Sequence, residues 1–215
     1  MSLIIAFNVR DGIAVGADKC TTHHENGRTS HSMDSNKIVI YENRCVALHC
    51  GDYFVADNYT AQEFLESCKD IFTNDSSIVN VPLAILNRYN QKGFKSDNTF
   101  FICGFDDNGE GAIYKINTKD QTVTKQSANR DFAGTWAGIY NVATPMLKSA
   151  QCERMSLMDA AILEKLAIEA TGLSQLHCGV EITVGCKADV YMLSKDGKND
   201  CWLCGGPTLH IIGGT

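Results

Sequence analysis

The chain has 215 residues, a formal net charge of −6 and 44% hydrophobic residues, an ordinary balance for a globular protein. The acidic charge argues against nucleic acid or an anionic membrane as the main partner, because both attract basic patches. No apolar run reaches the roughly 18 residues that a membrane helix needs. The apolar stretch at residues 3–7 is also too short for a signal peptide, so we expect no membrane span and no leader.

The first third of the chain has the pattern of two β-hairpins. Residues 2–9 and 13–18 are two apolar strand patterns around a turn that contains Gly12, which supplies the backbone freedom of a tight turn. Residues 37–41 and 45–50 form a second pair of the same kind.

Apolar residues at helical spacing alternate with further strand patterns along the rest of the chain. The predicted helices cover residues 53–73, 78–92, 138–151 and 156–171, and the third of them contains Pro145, so it is expected either to kink there or to begin near it. The further predicted strands cover residues 99–104, 111–116, 180–185, 189–193 and 209–212. This order predicts an α+β fold, a four-layer αββα sandwich in which helix pairs cover two mainly antiparallel sheets. No linker or repeat interrupts the chain, so we expect a single domain over residues 1–215.

Both predicted hairpins carry their polar residues at the end away from the turn. In the first hairpin, facing residues have numbers that sum to about 21, which places Ser2 near Asp18. In the second the sum is about 86, which places Lys37 near His49, with Gly51 just beyond. If the two hairpins are neighbours in one sheet, these groups converge. We expect the His49 side chain to point to the opposite face or to pack within the sheet.

The converging residues have the chemistry of an acyl-transfer site. A serine hydroxyl needs a base, and the α-amine of an N-terminal serine has a pKa of about 8 and can take the proton. Lys37 would disfavour a second positive charge on that amine, and Asp18 would hold the lysine. The backbone N–H of Gly51 can serve as an oxyanion donor. This chemistry requires removal of Met1, which a methionine aminopeptidase performs when a small residue such as serine follows.

The ten cysteines predict a reducing compartment, because most of them stand singly in apolar surroundings. Cys201 and Cys204 form a CxxC pair, to which Cys178, Cys186 or His177 could add ligands for zinc. A lone CxxC is a weak signal, so free thiols and no metal are the preferred interpretation.

Five segments resemble the proteasome β-subunit family of N-terminal-nucleophile hydrolases, including the bacterial HslV-type peptidase subunits. The segments are GIAVGAD at residues 12–18, NKIV at 36–39, CGDYFVAD at 50–57, the strand pair within 100–116, and FAGTWA at 132–137. The resemblance covers about residues 2–170 and is specific in the first 57 residues.

The resemblance implies a proteasome-like peptidase without a cofactor. Ser2 would be the nucleophile, Asp18 and Lys37 would tune its amine, Gly51 would bind the oxyanion, and Thr135 would stand at the position of the supporting serine. The implied substrates are polypeptides. The implied assembly is a set of stacked rings in the cytoplasm, served by a separate ATPase unfoldase.

Three positions depart from the family pattern, the first being Ser2, which stands where a threonine is usual. Cys20 stands where the family has an arginine two residues after the aspartate, and Ser174 stands where the family has an aspartate that supports the N-terminal amine. A catalytically inactive ring subunit of the same fold and a small-molecule amidase therefore stay open as alternative functions.

Overall fold

The computed structural model describes residues 2–25, 28–42, 44–72, 78–126 and 132–204. The strands are β1 (Leu3–Val9), β2 (Gly12–Asp18), β3 (Thr21–Glu25), β4 (Arg28–Ser32), β5 (Ile38–Tyr41), β6 (Cys45–Gly51), β7 (Phe54–Ala56), β8 (Tyr59–Thr60), β9 (Asn98–Phe105), β10 (Gly111–Asn117), β11 (Thr122–Lys125), β12 (Ala133–Gly138), β13 (Ala188–Ser194) and β14 (Cys201–Cys204). The helices are α1 (Ala61–Glu66), α2 (Val81–Gln91), α3 (Ala143–Lys148) and α4 (Leu157–Cys178), with a short 3-10 helix at Lys69–Phe72.

Ten of the strands form two antiparallel sheets. The first sheet has the order β12-β1-β2-β13-β14, and the second has the order β11-β10-β9-β6-β5. The remaining strands pair as two small hairpins, β3 with β4 and β7 with β8. Antiparallel sheets combined with helices that lie outside them confirm the predicted α+β class.

Both predicted hairpin registers are confirmed. Ile4 faces Ala17 in the first hairpin and Ile38 faces Leu48 in the second, which gives the expected sums. The condition under which the polar ends were expected to converge, that the two hairpins are neighbours in one sheet, is not met. The β1–β2 hairpin lies in the first sheet and the β5–β6 hairpin lies in the second. Their polar ends therefore meet across the interface between the sheets.

Three apolar clusters account for the packing. One joins α1 and α2 to the second sheet, through residues such as Phe64, Tyr89 and Phe100. A second lies between the two sheets, where side chains from β1 and β2 meet side chains from β5, β6 and β9. A third joins α3 and α4 to the first sheet, where Ile168 and Phe7 belong to one cluster. The second cluster shows that the two sheets pack face to face. This packing covers the apolar faces that would otherwise be exposed to water.

The predicted helices differ from the observed ones mainly in length. The predicted helix at 53–73 is wrong over its first part: residues 54–60 form the β7–β8 hairpin, and α1 begins after Thr60, whose hydroxyl caps it. The predicted helix at 138–151 is longer than the observed one. Gly138 still belongs to β12, and α3 covers only Ala143–Lys148. None of the helices in the described part of the chain is both long and apolar enough to cross a membrane.

The end of α4 carries the largest correction. The helix was expected to end at residue 171 but continues to Cys178, and Gly179 ends it with a left-handed backbone. The predicted strand at 180–185 is wrong, because its backbone N–H groups bond to the side chains of Gln175 and Asp18 instead of a neighbouring strand. The predicted strand at 209–212 lies outside the described residues. The strands β3, β4, β7, β8, β11, β12 and β14 were not predicted.

Candidate active site

Ser2 lies directly before β1 and is only 7% exposed. Its carbonyl oxygen accepts a hydrogen bond from the Ile139 N–H at 2.9 Å. Gly138, at the end of β12, has φ +105, and a Cβ there would stand 1.7 Å from the same carbonyl oxygen. A glycine is therefore required at 138 for the backbone of Ser2 to lie against β12.

Asp18 ends β2 beside Ser2 and accepts four hydrogen bonds. Its Oδ1 accepts from the Leu3 N–H at 2.9 Å and from Lys37 Nζ at 2.8 Å. Its Oδ2 accepts from the Cys20 N–H at 2.8 Å and from the Gly185 N–H at 2.9 Å. With only 1% of its surface exposed, the carboxylate is held in one orientation by four donors from four separate stretches of the chain.

Lys37 reaches this carboxylate from the second sheet. It stands one residue before β5, is 3% exposed, and donates both to Asp18 Oδ1 and to the Cys20 carbonyl oxygen at 2.5 Å. Both members of the ion pair are buried, so each charge depends on the other for compensation. The pair is thus the polar link between the open ends of the two hairpins.

Gly51 closes β6 in a conformation that other residues avoid. Its φ is +122, and a Cβ would stand 2.2 Å from the Asp97 carbonyl oxygen. The backbone of the neighbouring segment can approach this closely only because no side chain intervenes. The sequence motif at residues 50–57 thus marks a real geometric constraint.

A small cavity of about 30 Å³ brings three of the predicted residues together. Its wall contains Ser2, Lys37 and Gly51, and Asp18 lies directly behind them on Lys37. Four further residues that the sequence analysis did not select as site residues complete the wall: Thr21, Thr22, His49 and Tyr53.

Thr135 stands apart from this group. It lies opposite Ala6 on β1, four residues along the strand from Ser2, which corresponds to about 13 Å. Its hydroxyl donates to Gln126 Oε1 at 3.1 Å. Thr135 does not line the cavity that contains Ser2.

His49 belongs to the cavity wall, in contrast to the expectation that it points away. Burial, reinforced by the positive charge of Lys37, lowers the pKa of His49 to about 3, although a hydrogen bond with the Asn36 backbone opposes this. The ring is therefore neutral at physiological pH.

A loop after α4 supplies a site component that the sequence analysis missed. Gln175 Oε1 accepts from the N–H groups of Thr183 and Val184 at 3.0 and 2.9 Å, and this holds the loop so that the next residue, Gly185, donates to Asp18. Ser174, the residue that the family comparison singled out, lies within α4. The sequence analysis assigned residues 180–185 to a strand, so nothing indicated that Gly185 would donate to Asp18.

Lys19, the residue between Asp18 and Cys20, contributes an ion pair next to the site. Lys19 Nζ forms an ion pair with Asp189 Oδ2 at 3.1 Å, where the two side chains are 16% and 2% exposed. The residue next to Asp18 thus ties the end of β2 to β13 by charge.

No metal cluster was found among the described residues. All ten cysteines lie in the described ranges and are free thiols. Cys201 and Cys204 lie on β14 opposite Met192 and Val190 of β13, and among the described residues they belong to no group of three or more potential metal ligands. Burial raises the pKa of Cys50, next to Gly51, to about 12, which excludes a thiolate nucleophile there.

The chain matches no family model and no curated protein. Its fold is similar to solved Anbu structures. Anbu from Hyphomicrobium sp. strain MC1 has a TM-score of 0.73 and 15% identity, over 94% of this chain and 87% of that one. Anbu from Yersinia bercovieri, described as an ancestral β-subunit, has a TM-score of 0.70 and 12% identity, over 94% and 86%. The Pseudomonas aeruginosa Anbu complex, described as a helical assembly, has a TM-score of 0.71 and 12% identity, over 96% and 88%.

These likenesses establish the fold and correct the family expectation. The matching structures are Anbu proteins, which are proteasome-like but distinct, so the assignment to HslV-type β-subunits is wrong. The short motifs around Asp18, Lys37 and Gly51 are too local to distinguish between branches that share a fold.

Proposed function

We propose that this chain is a proteasome-like peptidase subunit that hydrolyses peptide bonds with Ser2 as an N-terminal nucleophile. The observation that carries the proposal is the buried Lys37–Asp18 ion pair, which meets Ser2 and Gly51 at one small cavity. Buried charges are costly and cluster at functional sites, and here they adjoin a hydroxyl group and a glycine backbone.

The first half of the reaction forms an ester on Ser2. After removal of Met1, the Ser2 Oγ attacks the peptide carbonyl carbon and its proton passes to the free α-amine. The Gly51 N–H stabilises the oxyanion. The protonated amine then donates its proton to the leaving amine as the peptide C–N bond breaks. Lys37 supports this cycle, because a nearby positive charge disfavours permanent protonation of the α-amine.

A single oxygen of Asp18 holds both Lys37 and the strand that follows the nucleophile. Its Oδ1 accepts from Lys37 Nζ and from the N–H of Leu3, the residue that follows the nucleophile. The carboxylate therefore fixes the start of β1 relative to the lysine, which keeps the nucleophile and its electrostatic support in register.

We further propose that residues 1–215 form one domain, a four-layer αββα sandwich, and that it self-associates into stacked rings in the cytoplasm. The three apolar clusters between successive layers support the sandwich. The helical assembly described for the Anbu complex supports self-association. Light scattering after size exclusion, combined with negative-stain microscopy, separates a closed ring from a helical assembly, whereas a monomer would contradict both. A separate ATPase would unfold the polypeptide substrates.

Peptide turnover by two serine variants tests the proposed nucleophile. Ser2→Ala should abolish hydrolysis of a fluorogenic peptide library while leaving folding intact. Ser149→Ala, which alters an exposed serine at the end of α3, should retain wild-type turnover. Equal turnover by the wild type and Ser2→Ala would refute the proposal.

The same assay separates the alternative functions. Assembly without turnover of any peptide by a chain that lacks Met1 would identify an inactive structural subunit. Turnover of small amides by a monomer, with no peptide cleavage, would identify an amidase.

A further inference from the structure

His49 carries a polar atom that has no use in the fold. The residue is 4% exposed, and its Nε2 is buried without a hydrogen-bond partner among the described residues. Buried polar atoms are nearly always hydrogen-bonded, so an orphaned one indicates a partner that the protein itself does not supply, such as a water molecule.

The protonation state of the ring defines what that partner must offer. The hydrogen bond between the ring and the Asn36 backbone must involve Nδ1, because Nε2 has no partner. A neutral ring that donates from Nδ1 to a carbonyl oxygen presents a lone pair at Nε2. The partner must therefore be a hydrogen-bond donor.

The cavity is the right size for a water molecule. A buried water needs at least about 10–15 Å³ and two to four polar partners. The cavity measures about 30 Å³, and its wall includes the polar residues Ser2 and Thr22 as well as His49. A water molecule fits this small polar cavity and can donate the hydrogen bond that Nε2 requires.

We propose that His49 Nε2 holds and orients the water molecule that resolves the acyl-enzyme, a role that rests on the proposed function of Ser2. The water oxygen attacks the ester carbon of acylated Ser2, and one water proton passes to the free α-amine. As the bond between the ester carbon and Ser2 Oγ breaks, the α-amine returns that proton to Oγ, and the peptide acid leaves. His49 accepts a hydrogen bond from the second water hydrogen throughout and is never protonated.

Pre-steady-state kinetics with a chromogenic peptide ester test this role, because the burst reports acylation and the steady state reports deacylation. His49→Leu removes the acceptor and should keep the burst amplitude while it lowers the steady-state rate by on the order of 10- to 100-fold. Mass spectrometry of the intact protein should show the ester accumulating on Ser2. His49→Asn, which restores an acceptor, should recover most of the rate.

Three outcomes would overturn the inference. An unchanged steady-state rate in folded His49→Leu would show that the ring is dispensable. Equal losses of burst and steady state would place His49 in acylation or in structure alone. If His49→Leu does not fold, the pH dependence of the deacylation rate is measured for the wild type and for His49→Asn. A change in the wild-type rate near pH 6.5 that is missing in His49→Asn would make the ring a titrating base and overturn the inference. A wild-type rate without that change supports a neutral acceptor. A wild type with no acylation at all would refute the proposed function of Ser2 itself.

Discussion

Two buried carboxyl groups approach the same strand, β2, and have opposite surroundings. Asp18 at the end of the strand is 1% exposed and accepts four hydrogen bonds, one of them from Lys37. Glu164, which reaches the strand from α4 beside Gly16, is 0% exposed, and neither of its carboxyl oxygens has a hydrogen-bond partner among the described residues. Burial raises the pKa of Glu164 well above its ordinary value, an effect that the Phe7 backbone only partly opposes.

The difference shows that burial alone does not make a charged site. Asp18 is surrounded by donors from four stretches of the chain and can serve as the fixed anion of a catalytic group. Glu164 has no such donors among the described residues, and its burial favours the protonated form. Four experiments test this contrast, in order of decreasing expected effect.

The largest effect should come from removing the cation at Asp18. Lys37→Met leaves the carboxylate buried without compensation, and we expect a loss of about 3–5 kcal/mol in the free energy of unfolding together with loss of peptide turnover. Urea denaturation measures the first and the fluorogenic assay the second. The control is Lys165→Met, which breaks a surface pair with Glu169 and should cost about 0.5 kcal/mol or less. Similar costs for the two variants would contradict the contrast.

The second effect is a change in the pH dependence of stability at Glu164. The native pKa lies above the unfolded value, so the unfolded chain loses this proton first. The contribution of Glu164 to the free energy of unfolding is therefore fully present below about pH 4.5. Above that pH it falls by about 1.4 kcal/mol per pH unit until the native pKa is reached.

Glu164→Gln should remove that loss, so the variant should be more stable than the wild type at pH 8, with a margin that shrinks toward pH 5. Denaturant titrations at several pH values measure this margin. Glu153→Gln, at an exposed position, serves as the matched control and should follow the wild type. A constant margin across the range would show that Glu164 does not titrate as a buried neutral acid.

The third effect compares two glycines with left-handed backbones. Gly51→Ala introduces a Cβ 2.2 Å from a carbonyl oxygen, whereas Gly93→Ala introduces one into open space. In both variants the positive φ lowers the free energy of unfolding by about 1 kcal/mol. Gly51→Ala should lower it by about 1–3 kcal/mol in total and should also reduce turnover, because the backbone must shift to relieve the contact. Equal stability and turnover in the two variants would remove the geometric argument for Gly51.

The smallest effect is expected at Thr135. Thr135→Val removes one hydrogen bond to Gln126, so stability should fall by about 0.5–1.5 kcal/mol and turnover should not change. A loss of turnover in a fully folded variant would mean that Thr135 acts on the Ser2 site despite its position outside the cavity wall.

Local patterns predicted the parts of the molecule that depend on neighbours in sequence. The register of each hairpin followed from strand length and turn position, which is why Ser2 was placed near Asp18, and Lys37 near His49. The placement of the two hairpins in different sheets is a long-range fact that no local pattern encodes.

The unpredicted parts of the site are those that depend on tertiary contacts. The Gln175 side chain accepts the hydrogen bond of the Val184 N–H that a neighbouring strand would otherwise accept, and the next residue, Gly185, then donates to Asp18. The spacing of apolar residues does not indicate hydrogen bonds of this kind. Glu164 lies at the centre of a helix, where a glutamate is typical of an exposed face, and its burial follows from the space that Gly16 leaves.

The central claim is that Ser2 becomes a free N-terminal nucleophile. Incubation with a peptide epoxyketone followed by peptide mapping tests it most directly. The account predicts an N-terminal peptide that begins at Ser2 and carries one probe molecule. Retention of Met1 throughout the assembled protein, or an unmodified Ser2 in a chain that lacks Met1, would contradict it.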